Sequence, residues 1–176
     1  FWGIVKAGCV VVTLNTMLEG EALVRLTNAS DAQVIFVDDS TRALVDQQRT
    51  NLLHISRDRF FTSGTLTEGW SASEDLICGA SDAKPDVKIE PDDSMTIIFT
   101  SGTTGVPKGI EHTHFGRLNY PLGFAMGLGI SRYSVGICAT PVYASGTWIT
   151  MFPTMYRGGK IVLLSKYSPE AFLEAV

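Results

Sequence analysis

Short runs of β-branched and aliphatic residues without apolar–polar alternation recur along the chain, separated by stretches whose apolar residues fall three or four apart. Cys9-Val10-Val11-Val12-Thr13-Leu14 is the first such run and Val34-Ile35-Phe36-Val37 the next. Unbroken apolar character predicts strands covered on both faces, as in a parallel sheet. Between them Ala22, Leu23, Leu26 and Ala29 fall at helical spacing, predicting a helix over 19–28. Strand, helix, strand is the βαβ unit. Asp38-Asp39 closes the second run as turn residues, and a further helix is predicted over 41–53 with Leu44 and Val45 on its inner face. Upstream, Phe1 to Gly8 reads as the last turns of an apolar helix stopped by glycine.

From about 62 to 93 the chain becomes rich in Ser, Gly, Asp and Glu, with Trp70, Leu76 and Ile77 as a short apolar cluster, which predicts a long connection. A strand over 95–100, a glycine turn over 102–105 and an extended segment over 106–111 are expected next. Asp92-Asp93 adjoins that strand as another turn pair. Thr113 caps a predicted helix to about Tyr120, where Pro121 should break or kink it. Val135 to Ala139 reads as a strand, 147–156 as a helix in spite of Pro153, and 160–164 as a strand after Gly158-Gly159. Ser168-Pro169-Glu170 supplies the N-cap, first position and acidic first turn of a last helix. The alternation predicts an α/β fold, with mostly parallel sheet layered against helices.

Composition narrows the function. The chain has 176 residues, 45% hydrophobic and 18% charged, with a formal net charge of −4. That balance provides no basic field for nucleic acid, so a polyanion would have to be bound by a few directed donors. Cys9, Cys78 and Cys138 are odd in number and show no C-x-x-C spacing, which predicts buried reduced thiols. No apolar run approaches the ~18 residues of a membrane span and no signal-peptide pattern opens the chain, so a cytoplasmic setting is expected.

Against this background Thr100-Ser101-Gly102-Thr103-Thr104-Gly105-Val106-Pro107-Lys108-Gly109 stands out, following the apolar Ile97-Ile98-Phe99. Glycines let backbone N–H groups approach an anion, hydroxyls donate further hydrogen bonds, and Lys108 supplies compensating charge. The alternative is a plain glycine hairpin between two strands. A Walker-type loop is excluded, since Pro107 stands where G-x-x-x-x-G requires glycine, and no G-x-G-x-x-G occurs in the segment.

The same ten residues resemble the signature of the superfamily of AMP-forming acyl-CoA synthetases, adenylation domains and luciferases. Gly3 to Asn15 is similar to the family's helix-strand pattern G-x-x-K-A-G-x-x-x-x-x-L-N, and Thr113-His114 to its T-H pair. The resemblance covers nearly the whole chain and implies an incomplete portion of the large N-terminal domain of an adenylate-forming enzyme, with the C-terminal domain outside these residues. It implies a ligase that joins a carboxylic acid to ATP as an acyl-adenylate and transfers it to coenzyme A. Thr100, Ser101, Gly102, Thr103, Thr104, Gly105 and Lys108 would hold the departing phosphates, Lys108 stabilising their charge. The main Mg²⁺ ligand, the ribose-binding aspartate and the catalytic lysine of the family would lie beyond residue 176, so these residues alone are expected to be inactive.

Pro141-Val142-Tyr143-Ala144-Ser145-Gly146 resembles the family's second core motif, with Ala144 in place of the frequent histidine. Tyr143, Ala144, Ser145 and Gly146 would then meet the acid, and Tyr143 would line an acyl pocket for a fatty or other apolar acid. A tyrosine simply packed at a helix start is the competing reading. His112 and His114 lack a third metal ligand at suitable spacing, so no metal is assigned, and His114 is expected to pack at a helix start. The family tends to be apolar at the places of Glu111 and His112 and often has asparagine at that of Gly116. Trp148, Met151, Phe152 and Met155 form a helical stripe read as a buried face. Two other readings stay open: a non-catalytic nucleotide- or phosphate-binding module, and an amino-acid-activating adenylation domain.

Overall fold

The computed structural model describes residues 1–100 and 107–176, and the expectations for Ser101, Gly102, Thr103, Thr104 and Gly105 lie outside the described residues. The chain divides into two compact units, Phe1–Thr13 with Val87–Ile98 and Ile110–Val176, and Leu14–Asp86 with Phe99–Gly109.

In the first unit α1 (Trp2–Lys6) ends as glycine placement predicts: Gly8 takes φ +74°, its N–H donates to the Val5 carbonyl, and that of Cys9 donates to the Ile4 carbonyl. This double closure satisfies the last helical carbonyls and needs a residue free of Cβ strain. β1 (Val11–Thr13) pairs parallel with β5 (Ser94–Phe99), Val12 opposite Ile97, and β6 (Gly109–Thr113) is hydrogen-bonded to β5 on its other edge. Val5, Val11 and Met95 form one apolar cluster, and Ile98, Trp148 and Phe152 another.

Thr113 caps α5 (His114–Gly127) by accepting from the Gly116 N–H. The helix does not stop near Tyr120: it runs through Pro121 to Gly127. A mid-helix proline removes one backbone bond at a cost of about 3 kcal/mol. Here Pro121 is buried and α5 packs along α6 (Ser145–Tyr156), so tertiary burial outweighs the local penalty. β7 (Val135–Cys138) and β8 (Lys160–Leu163) form a parallel pair, and α7 (Pro169–Ala175) is capped by Ser168 as expected.

The second unit sets a parallel sheet of β2 (Ile35–Val37), β3 (Phe60–Thr62) and β4 (Ser71–Ala72) beside α2 (Gly20–Ala29), α3 (Asp39–Asp46) and the short α4 (Ser73–Ile77). Three expectations need correction. α3 starts earlier than predicted, because the Asp38 carboxylate caps it through the Ser40 and Thr41 amides, and it ends at Asp46. β3 was not predicted, and β4 and α4 lie within the predicted connection. β2 is only half covered, with Phe36 exposed and stacked on Phe61 at 5.4 Å. The unit's core gathers Leu23, Val45, Leu52, Ile55, Phe60 and Trp70.

All three cysteines are free, but only Cys138 is buried; Cys9 and Cys78 are exposed, against expectation. Cys9 follows the helix-ending glycine and Cys78 the short α4, at chain reversals that apolar sequence neighbours do not reveal. Among the described residues no helix is long and apolar enough to cross a membrane.

Candidate functional site

Thr100 and Lys108, on either side of residues 101–106, are tied together. The Thr100 N–H donates to the Lys108 carbonyl at 2.9 Å, and the Lys108 N–H donates to Thr100 Oγ1 at 3.2 Å. The pairing of β5 with β6 is thereby carried past the strand ends. A β-branched residue suits the extended backbone required there. Because Thr100 Oγ1 is used as an acceptor, its hydrogen is left to donate. Lys108 is exposed, and among the described residues no carboxylate pairs with its ammonium. A hydroxyl donor and, on the residue paired with it through the backbone, a cation with no described carboxylate partner suit an anion.

The second motif leads from β7 into α6. Its carbonyls are held from inside the protein. Thr147 Oγ1 lies 2.8 Å from the Thr140 carbonyl and 3.0 Å from that of Pro141, sharing its proton between them. Trp148 Nε1 donates to the Val142 carbonyl at 2.7 Å, and Thr13 Oγ1 donates to the Tyr143 carbonyl at 3.1 Å. Ala144 occupies the N-cap of α6 without a side-chain acceptor, its own N–H donating to the Pro141 carbonyl at 3.0 Å. Ser145 and Gly146 are exposed and Tyr143 is half-buried.

A groove of about 730 Å³ in the first unit is lined by Trp2, Met95, Phe115, Arg117, Phe152 and Met155 among others; Tyr143 is not among its lining residues. Of the predicted α6 stripe, Trp148 and Phe152 enter the core, whereas Met155 is exposed and faces this groove. His114 opens α5, its N–H donating to the Asp93 carbonyl at 3.0 Å. The Asp93 carboxylate accepts from the Glu90 N–H at 2.8 Å, a turn role.

Arg117 was not singled out in the sequence. It is 5% exposed, donates through Nε to Thr96 Oγ1 at 3.3 Å, and lies 4.6 Å from the Trp148 ring centroid. Burial lowers its proton affinity, and burial likewise raises the Tyr120 phenol. His112 is pushed below the ordinary imidazole value, first by burial and then by Arg117. The clue available was an arginine set between Phe115, Leu118 and Tyr120 on a helix otherwise rich in apolar residues. Among the described residues no three His, Cys, Asp or Glu side chains gather closely enough to hold a metal ion.

A family model described as AMP-binding enzyme matches residues 1–176. The chain is similar to the mitochondrial acyl-coenzyme A synthetase ACSM3 of Mus musculus, 28% identical over 162 residues, covering 87% of this chain and 27% of that protein. It is similar also to the long-chain-fatty-acid–CoA ligase FadD13 of Mycobacterium tuberculosis, 33% identical over 118 residues, covering 65% of this chain and 22% of that one. Its fold matches the inhibitor-bound N-terminal domain of FACL13 from Mycobacterium tuberculosis with a TM-score of 0.84 at 20% identity, over 99% of this chain and 42% of that one. The chain spans about a third or less of the length of these curated relatives.

Proposed function

The chain belongs to the AMP-binding enzyme family, and on that premise we propose that it is part of an ATP-dependent ligase that activates an apolar, fatty-type carboxylic acid and passes it to coenzyme A. The acid's carboxylate oxygen forms a bond to the α-phosphorus of ATP while the bond to the bridging oxygen of pyrophosphate breaks. A thiolate then attacks the acyl carbon and AMP leaves. The protein's task in the first step is to stabilise charge gathering on the departing pyrophosphate, as preorganised donors do without reorganisation.

The observation that carries this reading is the tie between Thr100 and Lys108. It sets one hydroxyl with no acceptor among the described residues, and one residue with an exposed ammonium, at the base of the Thr/Ser/Gly segment. Ser101, Gly102, Thr103, Thr104 and Gly105 are proposed to complete the cradle. Tyr143 to Gly146 are proposed to meet the acid, and the absence of a carboxylate beside Tyr143 in the chain favours an acid without an amine. Similarity to a long-chain-fatty-acid ligase supports the same choice. ATP–pyrophosphate exchange by the full-length protein across a panel of carboxylic acids tests it: exchange should depend on an apolar acid and not on amino acids.

A further inference from the structure

Three side chains from inside the protein converge on consecutive carbonyls of the second motif, and none of them lies in the motif's exposed stretch. Trp148 is fully buried, and a buried indole N–H requires an acceptor, which the Val142 carbonyl provides at 2.7 Å. The indole has little freedom to turn. Phe152 stacks with it at 4.8 Å, Phe1 meets it edge-on at 5.3 Å, and the Arg117 guanidinium lies 4.6 Å from its centroid. Arg117 is in turn held by Thr96 Oγ1 on β5. From β1, Thr13 Oγ1 takes the next carbonyl, that of Tyr143.

We infer that Trp148, braced by Arg117, and Thr13 are positioning residues that fix the backbone at Val142 and Tyr143 and thereby set selectivity for the carboxylic acid. This role rests on the acyl-site reading given above. The backbone held by Trp148 and Thr13 carries Tyr143, so a shift of its carbonyls moves that side chain relative to the acid. Phosphate binding, assigned to Thr100 through Lys108, is not held by these two donors and should be spared.

Two variants of the full-length protein remove the donors: Thr13→Val keeps the shape without the hydroxyl, and Trp148→Phe keeps an aromatic ring without the N–H while also giving up part of the buried ring volume. Hydrogen–deuterium exchange of the peptide over 139–147 reads the backbone directly, through the Ala144 amide bonded to the Pro141 carbonyl. Exchange there should quicken about three- to tenfold in each variant, the worth of one hydrogen bond, with 160–164 unchanged. KM for the acid should rise by a similar factor while KM for ATP stays within about twofold. Arg117→Met should reproduce the Trp148→Phe pattern, and Arg117→Lys should recover part of it. Unchanged exchange in both donor variants overturns the inference, as does faster exchange with the acid and ATP constants moving together. A wild-type protein that exchanges pyrophosphate with no acid refutes the acyl-site reading and the selectivity role with it, whereas the exchange measurement still decides whether the clamp exists.

Discussion

The Lys108 backbone N–H donates to Thr100 Oγ1 across 3.2 Å, while the Thr100 N–H donates back to the Lys108 carbonyl across 2.9 Å. Two residues of the proposed phosphate site thus hold each other before any anion is considered. Thr100 and Lys108 therefore enter any anion site already fixed relative to one another.

Thr100→Val preserves shape and removes the acceptor of this pair. In the full-length enzyme KM for ATP should rise about three- to tenfold, and Thr100→Ser should restore it to within about twofold. Steady-state kinetics with ATP varied at saturating acid reads both.

Gly159→Ala should destabilise the first unit by about 1–3 kcal/mol, because overpacking forces backbone to shift. A Cβ there would stand 2.6 Å from the Ser134 carbonyl oxygen and 2.9 Å from Thr154 Cγ2. Gly123→Ala, on α5 with no atom within 4 Å of the added carbon, should instead stabilise by about 0.5–1 kcal/mol. Chemical denaturation distinguishes the two signs.

Asp38→Ala should cost about 0.5–2 kcal/mol, the usual worth of an N-cap. Hydrogen bonds from the Ser40 and Thr41 side chains hold the Asp38 carboxyl below its ordinary value of 3.8. The ionised form is the one the fold favours, so this contribution is present above pH 3.8 and is lost as pH falls through the lowered folded value. Acid denaturation of the variant should show that loss reduced.

His112 carries the opposite chemistry. Burial, then Arg117, favours its neutral form, so its contribution is complete above the ordinary imidazole value of 6.5 and is lost as pH falls from there through the lowered folded value. His112→Gln should flatten the stability profile on the acid side of pH 6.5. Equal slopes for wild type and variant would remove His112 from the pH response.

Much of this architecture was readable in advance where local chemistry and tertiary demand agree. Gly8 marks the end of α1 and Ser168-Pro169 the start of α7, because a left-handed turn and an N-cap are intrinsic needs of a helix. Legibility failed where packing overrules propensity. Pro121 stays inside α5 because it is buried, and β3 is a three-residue strand fixed by its parallel neighbours β2 and β4. The resemblance of residues 100–109 and 141–146 located the motifs, but not their support. Thr13 reads as a strand residue and Trp148 as core, and only coordinates reveal that both donate to consecutive carbonyls of one loop.

The most direct test of the central claim is acid-dependent ATP–pyrophosphate exchange by the full-length protein carrying Lys108→Ala, alongside Thr104→Ala. Loss of one donor or charge from a preorganised anion site should slow exchange by about 10²–10³-fold for the lysine, and less for the threonine. The exposed Lys108 side chain predicts an unchanged thermal midpoint for its variant. Exchange at the wild-type rate in both folded variants would contradict the account.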